Sequence, residues 1–169
     1  MVGNLTVGKE RYRNVEEEAR QKLVQLERIR ERLANLVRAD EEAFAPLAAA
    51  YRMPRGTDEE RALREAAVQE ALYGASEVPL EVMETILEAL GVAKFFAYNG
   101  NRSALSDIGA AATFARAAAH GVRMTVVANI SSMKDEQRAR IYKQRMDSLI
   151  ADIDQQSEFV ESYVLDYLS

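Results

Sequence analysis

One aspartate in this chain stands where a helix would place it against apolar side chains. Because residues three and four positions apart share one face of an α-helix, alternating steps of that size along the chain trace a single face. Starting from Leu26, these steps reach Ile29, Leu33, Leu36, Asp40, Ala43 and Leu47. Burial raises the pKa of a carboxylic acid toward neutrality, where the acid can both give and accept a proton. The pattern therefore favours an acid–base catalyst at Asp40; the alternative is an aspartate that caps a helix or pairs with an arginine inside the bundle.

A second group of polar residues precedes a segment of very small side chains. Gly100 and Asn101 form a polar turn, and Ser106 and Asp107 stand where a helix would begin. Ser and Asp at such a position can accept the free N–H groups of the first turn. The residues that follow are mostly Ala and Gly, which allow helix backbones to approach closely. The pattern indicates a helix that borders a ligand site; the alternative is an alanine-rich packing helix with an ordinary N-cap.

These residues must be positioned by helices, because no run alternates apolar and polar residues for long enough to form a strand. The chain has only three prolines and eight glycines in 169 residues. Helices are predicted over residues 15–51, 57–75, 76–98, 106–130 and from 135 onward. The sequence thus predicts an all-α fold, in which a single domain over residues 1–169 forms a bundle of about five mostly antiparallel helices with short loops.

The ends of the predicted helices carry recognisable capping patterns. Thr57 and Glu60 form a capping box, Thr-x-x-Glu. Ser76 is predicted to cap the third helix, with Pro79 in its first turn, where the missing N–H does no harm. The run from Ser132 to Asp135 is predicted to cap the last helix, and the fourth could bend near Gly121.

The composition excludes several classes of function. A net charge of −5 disfavours nucleic acid as a partner, because phosphate binding needs a basic face. With no cysteine and one histidine, the chain cannot build disulfides, a thiolate metal site or a multi-histidine metal site. No apolar run approaches the roughly 20 residues of a membrane span, and no signal sequence opens the chain. We therefore expect a cytoplasmic protein with no membrane partner and no metal.

Five groups of residues, in one order along the chain, resemble the formiminotransferase-cyclodeaminase C-terminal domain family. This family includes stand-alone cyclodeaminases and methenyltetrahydrofolate cyclohydrolases. The groups are Asn4-Leu5-Thr6-Val7-Gly8-Lys9, Leu36-Val37-x-x-Asp40-x-x-Ala43-Phe44, Tyr51-Arg52-x-Pro54, Glu77-Val78-Pro79-Leu80, and a long segment in which Gly100-Asn101, Ser106-Asp107-Ile108-Gly109, Gly121, Val126, Asn129 and Asp135 follow one another. No single group is decisive, but five matches in the same order are specific.

The resemblance implies a one-carbon folate enzyme whose substrate is a tetrahydrofolate derivative and which needs no cofactor. Asp40 occupies the position of the carboxylate thought to serve the family as its proton donor. One acid–base group would serve either the cyclodeaminase or the cyclohydrolase reaction, so the sequence does not separate them. The implied substrate-binding residues are Lys9 and Arg52 for the glutamate carboxylates, with Asn101, Ser106, Asp107 and Asn129 near the pterin. Solvated charges, a turn and helix caps are the alternatives for these six.

Two departures from the family pattern support a second hypothesis, that of a catalytically silent helical oligomer that retains the family fold. The family normally begins with a Pro-Gly-Gly-Gly-Ser loop, a natural anion site at a helix N-terminus, and this chain starts at Met1. The family often has Asn where this chain has Thr125, which keeps a hydroxyl but lacks the amide. An in-frame Pro-Gly-Gly-Gly-Ser upstream of Met1 would indicate a clipped enzyme, and its absence would favour the silent protein.

A symmetric homodimer is predicted from the alanine-rich helix. Many of its alanines would make a poor solvent-facing surface, and exposed apolar area needs a partner. The alanines in question are Ala110, Ala111, Ala112, Ala115, Ala118 and Ala119. The resemblance agrees, since it implies a dimer or a larger assembly.

Overall fold

Five α-helices account for most of the chain in a computed structural model that describes all 169 residues. They are α1 (Val2–Thr6), α2 (Glu16–Tyr51), α3 (Asp58–Asn99), α4 (Leu105–Ser131) and α5 (Glu136–Leu168). Two short 3-10 helices, Glu10–Val15 and Arg102–Ala104, connect α1 to α2 and α3 to α4. No strand is present, which confirms the predicted all-α fold.

Helix α3 lies at the centre of the bundle. It packs against α2 on one side and against α4 and α5 on the other, and α4 and α5 also pack against each other. Its fully buried side chains include Leu80, Met83 and Leu90, which belong to the main apolar core. Helices α2 and α4, by contrast, do not pack against each other, so a groove runs between them over α3. No helix is long and apolar enough to cross a membrane.

The turn between α2 and α3 confirms the predicted capping box. The Thr57 hydroxyl accepts a hydrogen bond from the backbone N–H of Glu60 at 3.2 Å, and the Glu60 carboxylate accepts from the backbone N–H of Thr57 at 3.2 Å. The same carboxylate accepts from Gly56 N–H at 2.7 Å. Free donors of the first turn are thereby satisfied, which makes the turn a defined reversal of the chain.

The predicted break between a second and a third helix is wrong, because α3 continues through it. Ser76 is fully buried and its hydroxyl donates to the Leu72 carbonyl at 2.8 Å, so it does not cap a helix. Pro79 lies inside the helix rather than in a first turn. A proline in a helix interior costs about 3 kcal/mol in isolation. The packing of α3 on three neighbours overrides that local preference.

Two other predicted caps also differ from the structure. Helix α4 begins at Leu105, so Ser106 and Asp107 lie within its first turn, and no side chain caps it. At the start of α5, Asp135 alone is the cap, accepting from Arg138 N–H at 3.0 Å, while Ser132 ends α4. Helix α4 runs through Gly121 without interruption.

A close approach of backbones holds α1 against the bundle. A Cβ atom built on Gly100 would lie 2.5 Å from the Phe96 carbonyl oxygen and 2.8 Å from Val2 Cγ1. On Gly3 it would lie 2.4 Å from Leu23 Cδ2. At Gly100 the close atom is a backbone oxygen that cannot move aside, whereas at Gly3 the Leu23 side chain would have to shift. The absence of a side chain at Gly100 therefore lets α1 sit directly on the end of α3.

Candidate functional site

The main cavity of the groove between α2 and α4 lies at its middle, is open to solvent and has a volume of about 500 Å³. Its volume lies within the range of small-molecule sites. The lining is mostly apolar and comes from three helices: Leu33, Leu36, Val37, Asp40 and Glu41 from α2, Pro79 and Val82 from α3, and Val122 and Thr125 from α4. Apolar walls with a few polar groups suit a flat ring that must be oriented for chemistry.

Asp40 lines this cavity, but it is not buried as predicted. Its side chain is exposed, it makes no ion pair and it caps no helix. The predicted apolar face is correct at Ile29, Leu36 and Leu47, which are buried. The predicted face is not buried at Asp40, because this part of α2 packs only on α3. Helix α4 lies on the opposite side of the groove. In the single chain the carboxylate is therefore open to solvent and free to meet a ligand.

A second cavity, of about 230 Å³, lies at the α1 end of the same groove. Its lining is almost entirely apolar, and Asp107 is its only charged side chain. Asp107 and Thr125 are about five turns apart on α4, or roughly 27 Å along its axis. One pterin ring cannot touch both Asp107 and Asp40. Ser106 is exposed beside this cavity but does not line it.

Asn101 is fully engaged in holding α1. Its Nδ2 donates to the Leu5 carbonyl at 3.0 Å, and its Oδ1 accepts from the backbone N–H and the hydroxyl of Ser103 at 2.9 and 2.8 Å. Its own backbone N–H donates to the buried Thr6 hydroxyl at 2.9 Å. The structure therefore gives Asn101 a structural task in the joint between α1, α3 and α4.

The two predicted carboxylate-binding cations lie at opposite ends of the bundle. Lys9 is exposed in the turn before the first 3-10 helix, and Arg52 is exposed just beyond the end of α2. Neither makes an ion pair. Helix α2 separates them, and its 36 residues span about 54 Å. They cannot both contact one short glutamate tail.

Asn129 also has a protein partner. Its Nδ2 donates to the Ala75 carbonyl of α3 at 2.8 Å. The side chain is half-buried near the wall of the main cavity. Taken together, the structure does not bring the seven predicted site residues into one place: Asp40 alone lines the main cavity.

An ion network lies on the other side of α3, against α5. Arg145 donates to Glu77 at 2.8 Å and to Glu84 at 2.7 Å. Burial would raise the pKa of Glu77, but hydrogen bonds from Arg145 and Tyr142 outweigh it and hold that pKa below its usual range. Burial and the hydrogen bond to Glu77 raise the pKa of Tyr142 to about 12.

A smaller network joins α4 to α5. Arg116 Nε donates to Asp154 Oδ1 at 2.9 Å, and His120 Nε2 lies 2.8 Å from the same oxygen. Burial would raise the pKa of Asp154, but these two hydrogen bonds lower it below its usual range. Both networks fasten α5 to its neighbours and stand apart from the groove. No group of three or more His, Cys, Asp or Glu side chains is close enough together to hold a metal ion.

Sequence reasoning missed two residues of the main cavity. Glu41 lines it beside Asp40, and Pro79 forms part of its floor. Helical spacing could not identify Glu41, because the steps of three and four residues go from Leu36 to Asp40 and then to Ala43, and so do not reach residue 41. Pro79 carried a signal, but one that also fits the first turn of a new helix.

The fold and its groove define an antiparallel helical bundle with a largely apolar cleft that carries the carboxylates of Asp40 and Glu41. The sequence pattern of a protein family described as formiminotransferase-cyclodeaminase matches residues 1–148 of the chain. The chain belongs to this family. The resemblance carried by the five sequence groups is thereby confirmed.

Named relatives and a solved structure agree with this assignment. The methenyltetrahydrofolate cyclohydrolase of Methylorubrum extorquens is 36% identical over 152 residues, which cover 90% of this chain and 73% of the relative. The formimidoyltransferase-cyclodeaminase of Rattus norvegicus is 31% identical over 160 residues, which cover 95% of this chain but only 30% of that longer protein. The crystal structure of formiminotetrahydrofolate cyclodeaminase from Thermotoga maritima matches with a TM-score of 0.87 and 25% identity, over 100% of this chain and 80% of that one.

Proposed function

We propose that the protein is a one-carbon folate enzyme, a formiminotetrahydrofolate cyclodeaminase or a methenyltetrahydrofolate cyclohydrolase, with its active site in the groove between α2 and α4. The observation that carries this proposal is the placement of Asp40 at a largely apolar cavity of about 500 Å³. The family and the names of the relatives supply the substrate class.

In the cyclodeaminase direction, N10 of 5-formiminotetrahydrofolate attacks the formimino carbon. The tetrahedral centre then expels ammonia and leaves 5,10-methenyltetrahydrofolate. Asp40 as a carboxylate would take the proton from N10, and as a neutral acid would protonate the departing nitrogen. In the cyclohydrolase direction, water attacks the methenyl carbon and gives a proton to the Asp40 carboxylate, which forms a similar tetrahedral centre. The bond from this carbon to one of its two nitrogens then breaks as that nitrogen takes the proton from Asp40, and the hydroxyl proton goes to solvent, which leaves a formyl group on the other nitrogen. In both directions one proton is taken and one is given at the tetrahedral centre, so one carboxyl group would serve both.

The groove would contribute chiefly by orientation. Holding N10 against the carbon makes ring closure an intramolecular step, in which positioning supplies much of the rate. A folate ring between the apolar walls of α2 and α4 would also cover the Asp40 carboxylate, which is exposed in the free chain. Removal from water favours the protonated form of such a group. Substrate binding would thus create the environment that catalysis by Asp40 needs.

The test is to add the purified chain to 5-formiminotetrahydrofolate and, separately, to methenyltetrahydrofolate. The near-ultraviolet band of the methenyl group appears in the first reaction and disappears in the second. Turnover of one substrate identifies the activity. Turnover of neither would support the catalytically silent oligomer. A cytoplasmic location and the independence from a cofactor remain predictions.

We also propose that the protein is a symmetric dimer that pairs through the outer face of α4. Of the alanines predicted to lie at the surface, Ala112 and Ala119 are fully buried. The dimer contact must therefore use a different face of α4 from the predicted one. The face that is exposed contains no charged residue. It consists of Ala110, Phe114, Ala117, Gly121, Met124 and Ala128.

This face is complementary to itself. Phe114 is 73% exposed and projects from the helix, and Gly121 lies two turns further along. In an antiparallel pair about a twofold axis between them, each Phe114 would lie over the Gly121 of the other copy. A Cβ on Gly121 would meet no atom within 4 Å, so a larger residue there would leave the monomer intact.

Light scattering at micromolar concentration tests the dimer. The wild type should have twice the chain mass, and Gly121→Ile should be a folded monomer. Gly91→Ile, at another helical glycine with open space around it, is the control and should remain a dimer. A monomeric wild type would reject the proposal, and a dimeric Gly121→Ile would reject this face.

A further inference from the structure

Pro79 leaves a carbonyl of α3 without its helical donor beside the groove. A proline has no N–H, so the carbonyl oxygen four residues earlier, on Ala75, lacks the i+4 donor that an α-helix normally supplies. Ala75 is only 5% exposed. A buried carbonyl without a partner costs free energy comparable to a lost hydrogen bond. Asn129 of α4 supplies that partner, through the 2.8 Å contact of its Nδ2 with the Ala75 oxygen.

We infer that Asn129 is a positioning residue, which replaces the hydrogen bond that Pro79 removes and thereby fixes α4 against α3 at the groove. The catalytic part of this inference rests on the proposed function. In this role one N–H of the Asn129 amide is held by the protein, and Asn129 acts on turnover by orienting α4 rather than by contact with the substrate.

The placement of the neighbouring residues explains how this contact would shape the site. Thr125 lies one turn before Asn129 on α4 and lines the cavity opposite Asp40. Pro79 lies one turn after Ala75 on α3 and forms part of the cavity floor. The hydrogen bond therefore joins the wall that carries Thr125 to the floor on which a substrate would rest. Its loss would let α4 shift, and a shift of about 1 Å is enough to reduce turnover substantially.

A double-mutant cycle between Asn129 and Pro79 tests the inference. Asn129→Ala should lower the melting temperature by about 3–10 °C, because it leaves the Ala75 carbonyl unpaired. In a Pro79→Ala background, residue 79 has an N–H that can bond to that carbonyl, so the same change should lower it by less than half as much. An equal loss in both backgrounds would overturn the inference.

Kinetics separate positioning from direct contact. For Asn129→Ala we expect kcat to fall by about tenfold with KM nearly unchanged, since the defect is one of orientation. The fall should be largely absent in the Pro79→Ala background. If Pro79→Ala is itself inactive, Asn129→Ala in the native background provides the test. A raised KM with kcat retained would mean that Asn129 contacts the substrate, and would overturn the inference.

Asn99→Ala is the matched control. The Asn99 amide also donates to a carbonyl of α3, that of Phe95 at 3.0 Å, but no proline is involved. Its effect on melting should be the same with and without Pro79→Ala. A wild type that turns over neither folate would reject the proposed function and the catalytic part of this inference, while the melting cycle would still decide whether Asn129 replaces the missing donor.

Discussion

At the scale of single residues, Asp40 combines a solvent-open carboxylate with an apolar cavity. Asp40→Asn should leave the melting temperature within about 1–2 °C of the wild type, because an exposed side chain without an ion pair contributes little to stability. Turnover of the folate substrate should fall by about 100-fold or more, the range for loss of a general acid or base. Melting and steady-state kinetics on one preparation measure both.

The control for this variant is Glu42→Gln, two residues further along α2. Glu42 is an exposed carboxylate that does not line the cavity. It should change neither melting nor turnover. Full activity in Asp40→Asn would reject Asp40 as the acid–base group, and a large loss of stability would show that it has a structural partner.

Tyr142 contributes to the response of the fold to high pH. Its pKa of about 12 in the folded protein lies above the value of about 10 for an unfolded tyrosine. The folded state therefore keeps a proton that the unfolded state has lost. Its contribution to stability is complete below pH 10 and is lost as the pH rises from about 10 toward 12. Tyr142→Phe should reduce the loss of unfolding free energy between pH 9 and 11, measured by urea titration.

Absorbance at 295 nm offers a second measurement of the same group. The wild type should show a late phenol ionisation, and Tyr142→Phe should lack it. Tyr73→Phe, which removes a different tyrosine of the α3–α5 side, should keep it. A late step that survives Tyr142→Phe would assign it to another residue.

At the scale of the elements, Gly100 at the end of α3 and Gly91 inside α3 differ in how closely other atoms approach them. Gly100→Ala places a Cβ 2.5 Å from the Phe96 carbonyl oxygen of α3, which cannot rotate away, and 2.8 Å from Val2 Cγ1 of α1. The end of α3 and its contact with α1 must therefore shift. We expect the melting temperature to fall by several degrees. Gly91→Ala, inside α3 with no atom within 4 Å, should instead stabilise by about 0.5–1 kcal/mol, because alanine is the better helix former. Thermal unfolding of both variants checks the contrast, and equal effects would contradict it.

Helix positions were predictable where a single amphipathic pattern and its caps agreed. Residues 15–51, 106–130 and the start of the last helix were predicted to within one or two residues of α2, α4 and α5. The sequence failed at Ser76 and Pro79, where local capping preferences indicated a break. The burial of α3 by three neighbours and the donor from Asn129 override those preferences, and both are tertiary effects that no local pattern contains.

The candidate site was less predictable than the fold. Helical spacing placed Asp40 on a face with buried residues, but it could not reveal that α4 stands away from α2 at that level. Amide chemistry, together with the folate substrate that the resemblance implies, suggested Asn101 and Asn129 as ligands. Both make hydrogen bonds to distant backbone groups, those of Leu5 and Ala75. Contacts between residues far apart in sequence decided these roles.

At the scale of the whole molecule, α2 and α3 differ in how firmly they are held. Helix α3 packs on three long helices, whereas α2 packs on α3 and, at its start, on α1. Local opening is easiest where few contacts are lost. Amide hydrogen exchange should therefore be slowest in the middle of α3 and faster along α2, between residues 20 and 45. Exchange followed by mass spectrometry of peptides from both helices measures this, and equal protection would contradict it.

The separation of α2 from α4 has a consequence for any ligand in the groove. A bound molecule that touches both walls would connect two helices that do not pack against each other in the free chain, and would thereby brace the bundle. Its binding energy would be added to the stability of the folded state, about 2.7 kcal/mol at a concentration of 100 times Kd. We expect a non-reactive folate analogue to raise the melting temperature by roughly 5–10 °C and to slow amide exchange in α2 more than in α3. Scanning calorimetry with and without the analogue would detect this. An unchanged melting temperature would mean that the analogue does not bind the folded chain, and protection confined to regions other than α2 would place the ligand elsewhere.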